Sequence, residues 1–121
     1  MMANLAERFF NAGLKPKGIT VSEDVRRFLC EELPEAEAHS IVSGLSDLER
    51  IIRDSFTNIV SVSLEMFENP EVPEEKNIRI RIHLRKSGKR AFQQYRSYTR
   101  LFVKKFPSEF GRWFVTSVDY I

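Results

Sequence analysis

The sequence predicts a single α+β domain in which N-terminal helices are followed by a small antiparallel sheet, in the order ββαβ, with the helices packed on its apolar face. Three observations predict it. Apolar residues recur at helical spacing up to residue 57, and then at every second position over residues 60–66 and 78–84. Charge divides at nearly the same place: residues 1–75 hold 7 Lys/Arg against 15 Asp/Glu, whereas residues 76–112 hold 12 against 1. Finally, 121 residues of which 42% are hydrophobic, including ten Phe, supply enough apolar volume for one core. Residues 1–57 thus read as a helical acidic half and residues 58–121 as a strand-rich basic half.

The helical half opens with Leu5, Ala6, Phe9 and Phe10 on one face of a short helix that Gly13 and Pro16 end. Ser22 offers an N-cap for a second helix carrying Val25, Phe28, Leu29 and Leu33 up to Pro34. Pro34 suits the first turn of a third, with Ala38, Ile41 and Val42, which Gly44 ends. Ser46 and Glu49 form a capping box for a fourth, which displays Leu48, Ile51, Ile52 and Phe56. If Gly44 is instead tolerated within one helix, then Ala38, Ile41, Leu45, Leu48 and Ile52 make a short heptad seam, better used against the sheet than in a coiled coil.

From Asn58 the period becomes two. Val60, Val62, Leu64 and Met66 fall on one side of a strand, with Ser61, Ser63 and Glu65 on the other. After the loop containing Pro70 and Pro73, Ile78, Ile80, Ile82 and Leu84 alternate with Arg79, Arg81, His83 and Arg85, and the two strands should pair as a hairpin. A helix over Lys89–Phe106 turns Phe92, Tyr95, Thr99, Phe102 and Phe106 to one side and Lys89, Gln93, Arg96, Arg100 and Lys104 to the other. The aromatic side is expected in the core, with Tyr98 toward its border. Trp113–Tyr120 completes the sheet as a third strand.

Several function classes are excluded or disfavoured. Mean hydropathy is −0.32 and the apolar runs are far shorter than the ~20 residues a bilayer demands, so no membrane association is expected. Glu7 and Arg8 precede Phe9 and Phe10, unlike a secretory leader, and the expected location is the cytoplasm. Cys30 stands alone, so neither an internal disulfide nor a thiolate metal site is expected. The acidic loop Glu68, Glu71, Glu74, Glu75 lacks the pattern of a calcium loop, and the five glycines have no nucleotide-cradling spacing. No cofactor and no metal are therefore expected.

What remains is a basic surface. Arg79, Arg81, Arg85, Lys86, Lys89, Arg90, Arg96 and Arg100 are the candidate contacts for nucleic acid, RNA or DNA, held through phosphates rather than base edges. The corner formed by Arg85, Lys86, Lys89 and Arg90 is where the strand and helix cations would meet. The bland alternative is that the acidic and basic halves neutralise one another in the fold, with Glu65 pairing with the Arg row across the hairpin. The second functional reading is a protein-interaction module, a homodimer or an adaptor for an acidic protein. The third is a small ribonuclease using His83, whose Arg neighbours disfavour protonation and for which no partner is evident in the sequence. His39, beside Glu35 and Ser43, reads as an exposed helix residue. A helix-turn-helix around Gly44 is disfavoured by Asp47, Glu49 and Asp54 on its second helix.

Overall fold

The computed structural model describes residues 18–68, 70–72, 76–85 and 91–120. The expected helix around Leu5–Phe10, and Lys86, Lys89 and Arg90 of the basic corner, lie outside the described residues. A two-residue strand that the sequence pattern did not reveal, β1 (Thr20–Val21), leads into α1 (Glu23–Arg27). Ser22 caps α1, its hydroxyl accepting the Val25 N–H at 3.2 Å, while Glu23 and Asp24 at the start and Arg26 and Arg27 at the end complement the helix dipole. The chain then widens into a π-helical turn, Phe28–Glu32, closed by the Leu33 N–H donating to the Phe28 carbonyl.

Where two helices were expected there is one, α2 (Glu35–Ser55). Gly44 does not end it. A Cβ at Gly44 would lie 2.6 Å from Cε2 of Phe110 and 3.3 Å from Cε1 of Phe106, so the glycine serves close packing of rings against a helix rather than a left-handed cap. The helix-turn-helix reading thereby loses its turn. The heptad seam is spent inside the molecule: Ala38, Ile41, Leu45, Leu48 and Ile52 are all buried.

The hairpin is present as β2 (Ile59–Glu68) and β3 (Lys76–Leu84), with Leu64 opposite Ile80 and Glu68 opposite Lys76. Asn58 enters β2 with φ 59°, and the pairing slips between Ile59 and Ser61. That slip corrects the expected phase of β2, since Ile59 packs against the core and Val60 is left 48% exposed. Next come α3 (Ala91–Lys105), a single-turn α4 (Ser108–Gly111) and β4 (Phe114–Tyr120).

The four strands lie in the order β1-β2-β3-β4. Among the described residues only the β2–β3 pair is antiparallel; β1 runs parallel to β2, and β4 parallel to β3. The sheet is thus mixed, correcting the expected antiparallel one. The reason is topological: a helical crossover carries the chain back to the end of the sheet at which the preceding strand began, so that the next strand runs parallel to it, and each parallel pair here is joined through helices. Val62, Leu64, Ile78, Ile80, Ile82 and Leu84 form the inner face of the sheet in one core cluster with α2, Tyr98 and Phe110. Among the described residues no helix is long and apolar enough to cross a membrane.

Candidate functional site

Strand alternation sends Arg79, Arg81 and His83 to the face of the sheet opposite the core. Register decides what they meet there. Arg79 stands between Glu65 and Val115, Arg81 between Ser63 and Ser117, and His83 between Ser61 and Asp119. Glu65 Oε1 lies 3.5 Å from Nη1 of Arg79 and 3.4 Å from Nη1 of Arg81. Asp119 Oδ2 lies 3.3 Å from Nε of Arg81 and 3.5 Å from Nε2 of His83. The Arg81 Nε contact is close enough for charge pairing but is not aligned as a hydrogen bond. The Arg79 guanidinium also covers the Phe67 ring at 4.5 Å from its centroid. The Arg row is therefore half-covered and largely neutralised by two carboxylates.

Pairing between the two charge blocks recurs elsewhere. Lys76 Nζ reaches Glu32 at 2.6 Å, Arg112 reaches Glu37 at 2.8 Å, and Lys105 lies 3.8 Å from Asp47. The hydrogen bond and charge of Glu32 hold the Lys76 ammonium above its ordinary range. Acidic and basic halves thus meet within one molecule, as the bland reading of the sequence expected.

Among the described residues, Arg85 at the end of β3 and the outward face of α3 are exceptions, and α3 is the larger. At 100° per residue, Phe92, Arg96, Thr99 and Val103 share a narrow arc, with Tyr95 on one flank and Arg100 and Lys104 on the other. Phe92 and Val103 are each 70% exposed, and Tyr95 is 40% exposed. The Arg96 guanidinium lies 5.9 Å from the Phe92 ring centroid. Among the described residues no carboxylate lies within ion-pair range of Arg96, Arg100 or Lys104, and all three cations are exposed.

These positions correct the expected phase of α3. Tyr98, expected at the border, is 2% exposed, whereas Phe92 and Tyr95, expected in the core, face outward. Phe102 and Phe106 are half-buried, packed with Phe110 and Phe114. The aromatics of α3 span about 120°, and the buried face centres on Tyr98 at one edge of that arc. The contacts that select among them are tertiary: Tyr98 meets the Phe56 ring at 5.5 Å and shares a 2.9 Å hydrogen bond with the Thr116 hydroxyl. Burial pushes the Tyr98 phenol up to about 12.

Two open depressions flank this helix. One, of about 700 Å³, runs along Phe92, Tyr95, Arg96, Thr99, Arg100, Val103 and Lys104. The other, of about 380 Å³, lies between α2 and α3 and is lined by Asp47, Arg50, Ile51, Leu101, Lys104 and Lys105. Lys104 borders both. Together they carry Arg50, Arg96, Arg100, Lys104 and Lys105 against Asp47 alone among the described residues. Of the expected contacts, then, Arg96 and Arg100 stand together, Arg79 and Arg81 are tied to carboxylates on the opposite layer, and Arg85 is exposed at the end of β3. Lys104, Phe92 and Tyr95 belong with the α3 pair although sequence reasoning did not place them in a site.

His83 has partners that the sequence did not reveal. Ser61 Oγ lies 3.1 Å from its Nδ1, opposite the Asp119 contact at Nε2. Ser61 follows from the hairpin register, but Asp119 required the parallel pairing of β4. The three form the order of a proton relay. All three lie at least partly exposed on the face of the sheet opposite the core, and Asp119 also engages Arg81. His39 is exposed, with Nε2 3.5 Å from Ser43 Oγ. Cys30 is half-buried against the core. Among the described residues no three His, Cys, Asp or Glu side chains are grouped to hold a metal ion. No protein-family model, curated protein or solved structure matches the chain.

Proposed function

We propose that the protein is a non-enzymatic module that binds nucleic acid through the outward face of α3, with Arg96, Arg100 and Lys104 contacting phosphates. One observation carries the reading: these cations remain without carboxylate partners among the described residues, whereas of the other described cations in residues 76–112 Lys76, Arg79, Arg81, Lys105 and Arg112 each have a carboxylate within ion-pair range and only Arg85 does not. Four-residue spacing sets the three charges about 6 Å apart along the helix axis, comparable with the phosphate repeat of an extended strand. Arg50 extends the positive surface across the neighbouring depression, where Lys105 is paired with Asp47. Binding of this kind falls steeply with salt and discriminates little between sequences.

The test is titration of labelled single-stranded RNA and of a duplex across a salt series, with the Arg96→Gln, Arg100→Gln, Lys104→Gln variant alongside. Linear weakening in log affinity against log salt, with a slope shallower by about two in the variant, is expected. Equal binding by variant and parent would overturn the assignment of the surface.

A second reading, self-association, is supported by a different observation. β4 is the last strand in the order, and among the described residues only β3 pairs with it. Its outer backbone groups suit an added antiparallel strand from a second copy. Light scattering across a concentration series, together with hydrogen exchange of Phe114–Tyr120, distinguishes the readings: β4 amides that become protected only as a dimer forms would favour self-association.

A further inference from the structure

We infer that the polyanion on α3 is a single strand whose bases stack on Phe92 and Tyr95, an inference that rests on the phosphate-binding reading above. The starting observation is where the helix leaves its aromatic surface. Phe92 is 70% and Tyr95 40% exposed, although the same helix buries Tyr98 to 2%. Both rings lie at the N-terminal end of the groove that continues past Arg96, Thr99, Arg100 and Val103 to Lys104.

The arrangement gives the groove two unlike edges. Arg100 and Lys104 lie on one flank of the Phe92–Val103 stripe and Tyr95 on the other, with Arg96 near its middle. A strand whose phosphates follow the cations turns its bases toward the rings. Base–aromatic stacking tolerates any sequence because every base has a π-face, and Arg96 beside the Phe92 ring adds a cation for the same ligand. A duplex keeps its base faces against each other, so it can use the cations but not the rings. A partner protein anchored by one apolar side chain would be better served by a closed pocket. This groove is open, and its described lining carries Arg96, Arg100 and Lys104 with no carboxylate. Charge complementarity therefore favours an evenly charged anionic polymer.

The experiment compares a labelled oligo(dT), an oligo(U), an abasic strand of the same length and a duplex at low salt, using the full chain and its Phe92→Ala, Phe92→Leu and Phe92→Trp variants. The parent should bind either base-bearing strand about tenfold more tightly than the abasic strand. Phe92→Ala should cut that difference severalfold, leaving only the share that Tyr95 carries, while abasic binding and the salt slope change little. Phe92→Leu, which keeps apolar area but no π-face, should behave like the alanine variant, and Phe92→Trp should restore discrimination. Equal binding of base-bearing and abasic strands by the parent would overturn stacking while leaving phosphate binding in place; no binding of any strand would remove both. An oligomer that dissolves in Phe92→Ala, without discrimination among strands, would assign the stripe to a second copy and overturn the inference. Because Phe92 is largely exposed, an unchanged far-ultraviolet spectrum is expected for all three variants.

Discussion

The open face of the sheet and the outward face of α3 are both basic in sequence, yet they differ in the field they present. On the sheet, Glu65 and Asp119 arrive beside Arg79 and Arg81 because strand register places them there. On α3 no such register operates: helix neighbours come from the same segment, and between Ala91 and Lys105 that segment contains no carboxylate. Charge written along a strand can be cancelled by residues distant in sequence. Charge on the exposed side of a crossover helix is cancelled only by its own turns or by a neighbour that packs there.

The sharpest test of that difference removes matched charge from each face. Replacing Arg96, Arg100 and Lys104 with Gln is expected to weaken nucleic-acid binding about a hundredfold at low salt, whereas Arg79→Gln with Arg81→Gln should change it by about twofold or less. Anisotropy titrations at one salt concentration check both. Comparable losses from the two variants would mean that Glu65 and Asp119 do not screen the row, and the distinction between faces would collapse.

A second test concerns what seats α3. Gly44→Ala improves helix propensity by about 1 kcal/mol, but its Cβ meets Phe110, which is buried and stacked on Phe106 at 4.1 Å between centroids. Overpacking of this kind costs about 1–3 kcal/mol and should outweigh the gain. Denaturant melts are expected to show net destabilisation. Since Phe106 adjoins the C-terminal end of α3, the variant should also disturb the helix phase that exposes Phe92, read as weaker discrimination for base-bearing strands.

This glycine also shows where the sequence was readable and where it was not. Alternation of Ile78, Ile80, Ile82 and Leu84 with Arg and His announced both β3 and its inner face, because a strand's period is a local property. Gly44 reads locally as a helix stop, and only the approach of Phe110 from the far end of the chain explains its place inside α2. Tyr98 follows the same pattern. Helical phase groups the aromatics of α3 on one side, but Phe56 and Thr116 select Tyr98, at the edge of that arc, as the residue that is buried. Of the site, Arg96 and Arg100 were legible, whereas Lys104 was not placed in it. On the sheet, the pairing of Arg79 and Arg81 with Glu65 was foreseen from the hairpin, and that of Arg81 with Asp119 was not, because it depends on β4 lying parallel to β3.

If carboxylates conceal the Arg row, removing them should reveal it. Glu65→Gln with Asp119→Asn is expected to strengthen polyanion binding by up to about tenfold at low salt, with the gain vanishing at high salt. The stability cost should stay near or below about 1 kcal/mol per site because these pairs are partly exposed. Unchanged affinity would show that the sheet face is closed to nucleic acid for reasons other than charge.

The smallest effect distinguishes the buried and exposed aromatics of α3 itself. Tyr98→Phe removes the hydrogen bond to Thr116 while keeping the ring against Phe56, for an expected loss of about 1 kcal/mol. The pH dependence has a definite sign. Burial favours the neutral phenol, so its stabilisation is fully present below the ordinary tyrosine value of 10.0 and is lost as pH rises through the folded-state value of about 12. A tyrosinate absorbance titration should therefore contain a late phase between those limits that coincides with loss of helical signal, and Tyr98→Phe should abolish that phase. If the late phase survived the substitution, another tyrosine would be the buried one, and Tyr98 would not be the residue that turns Phe92 and Tyr95 outward.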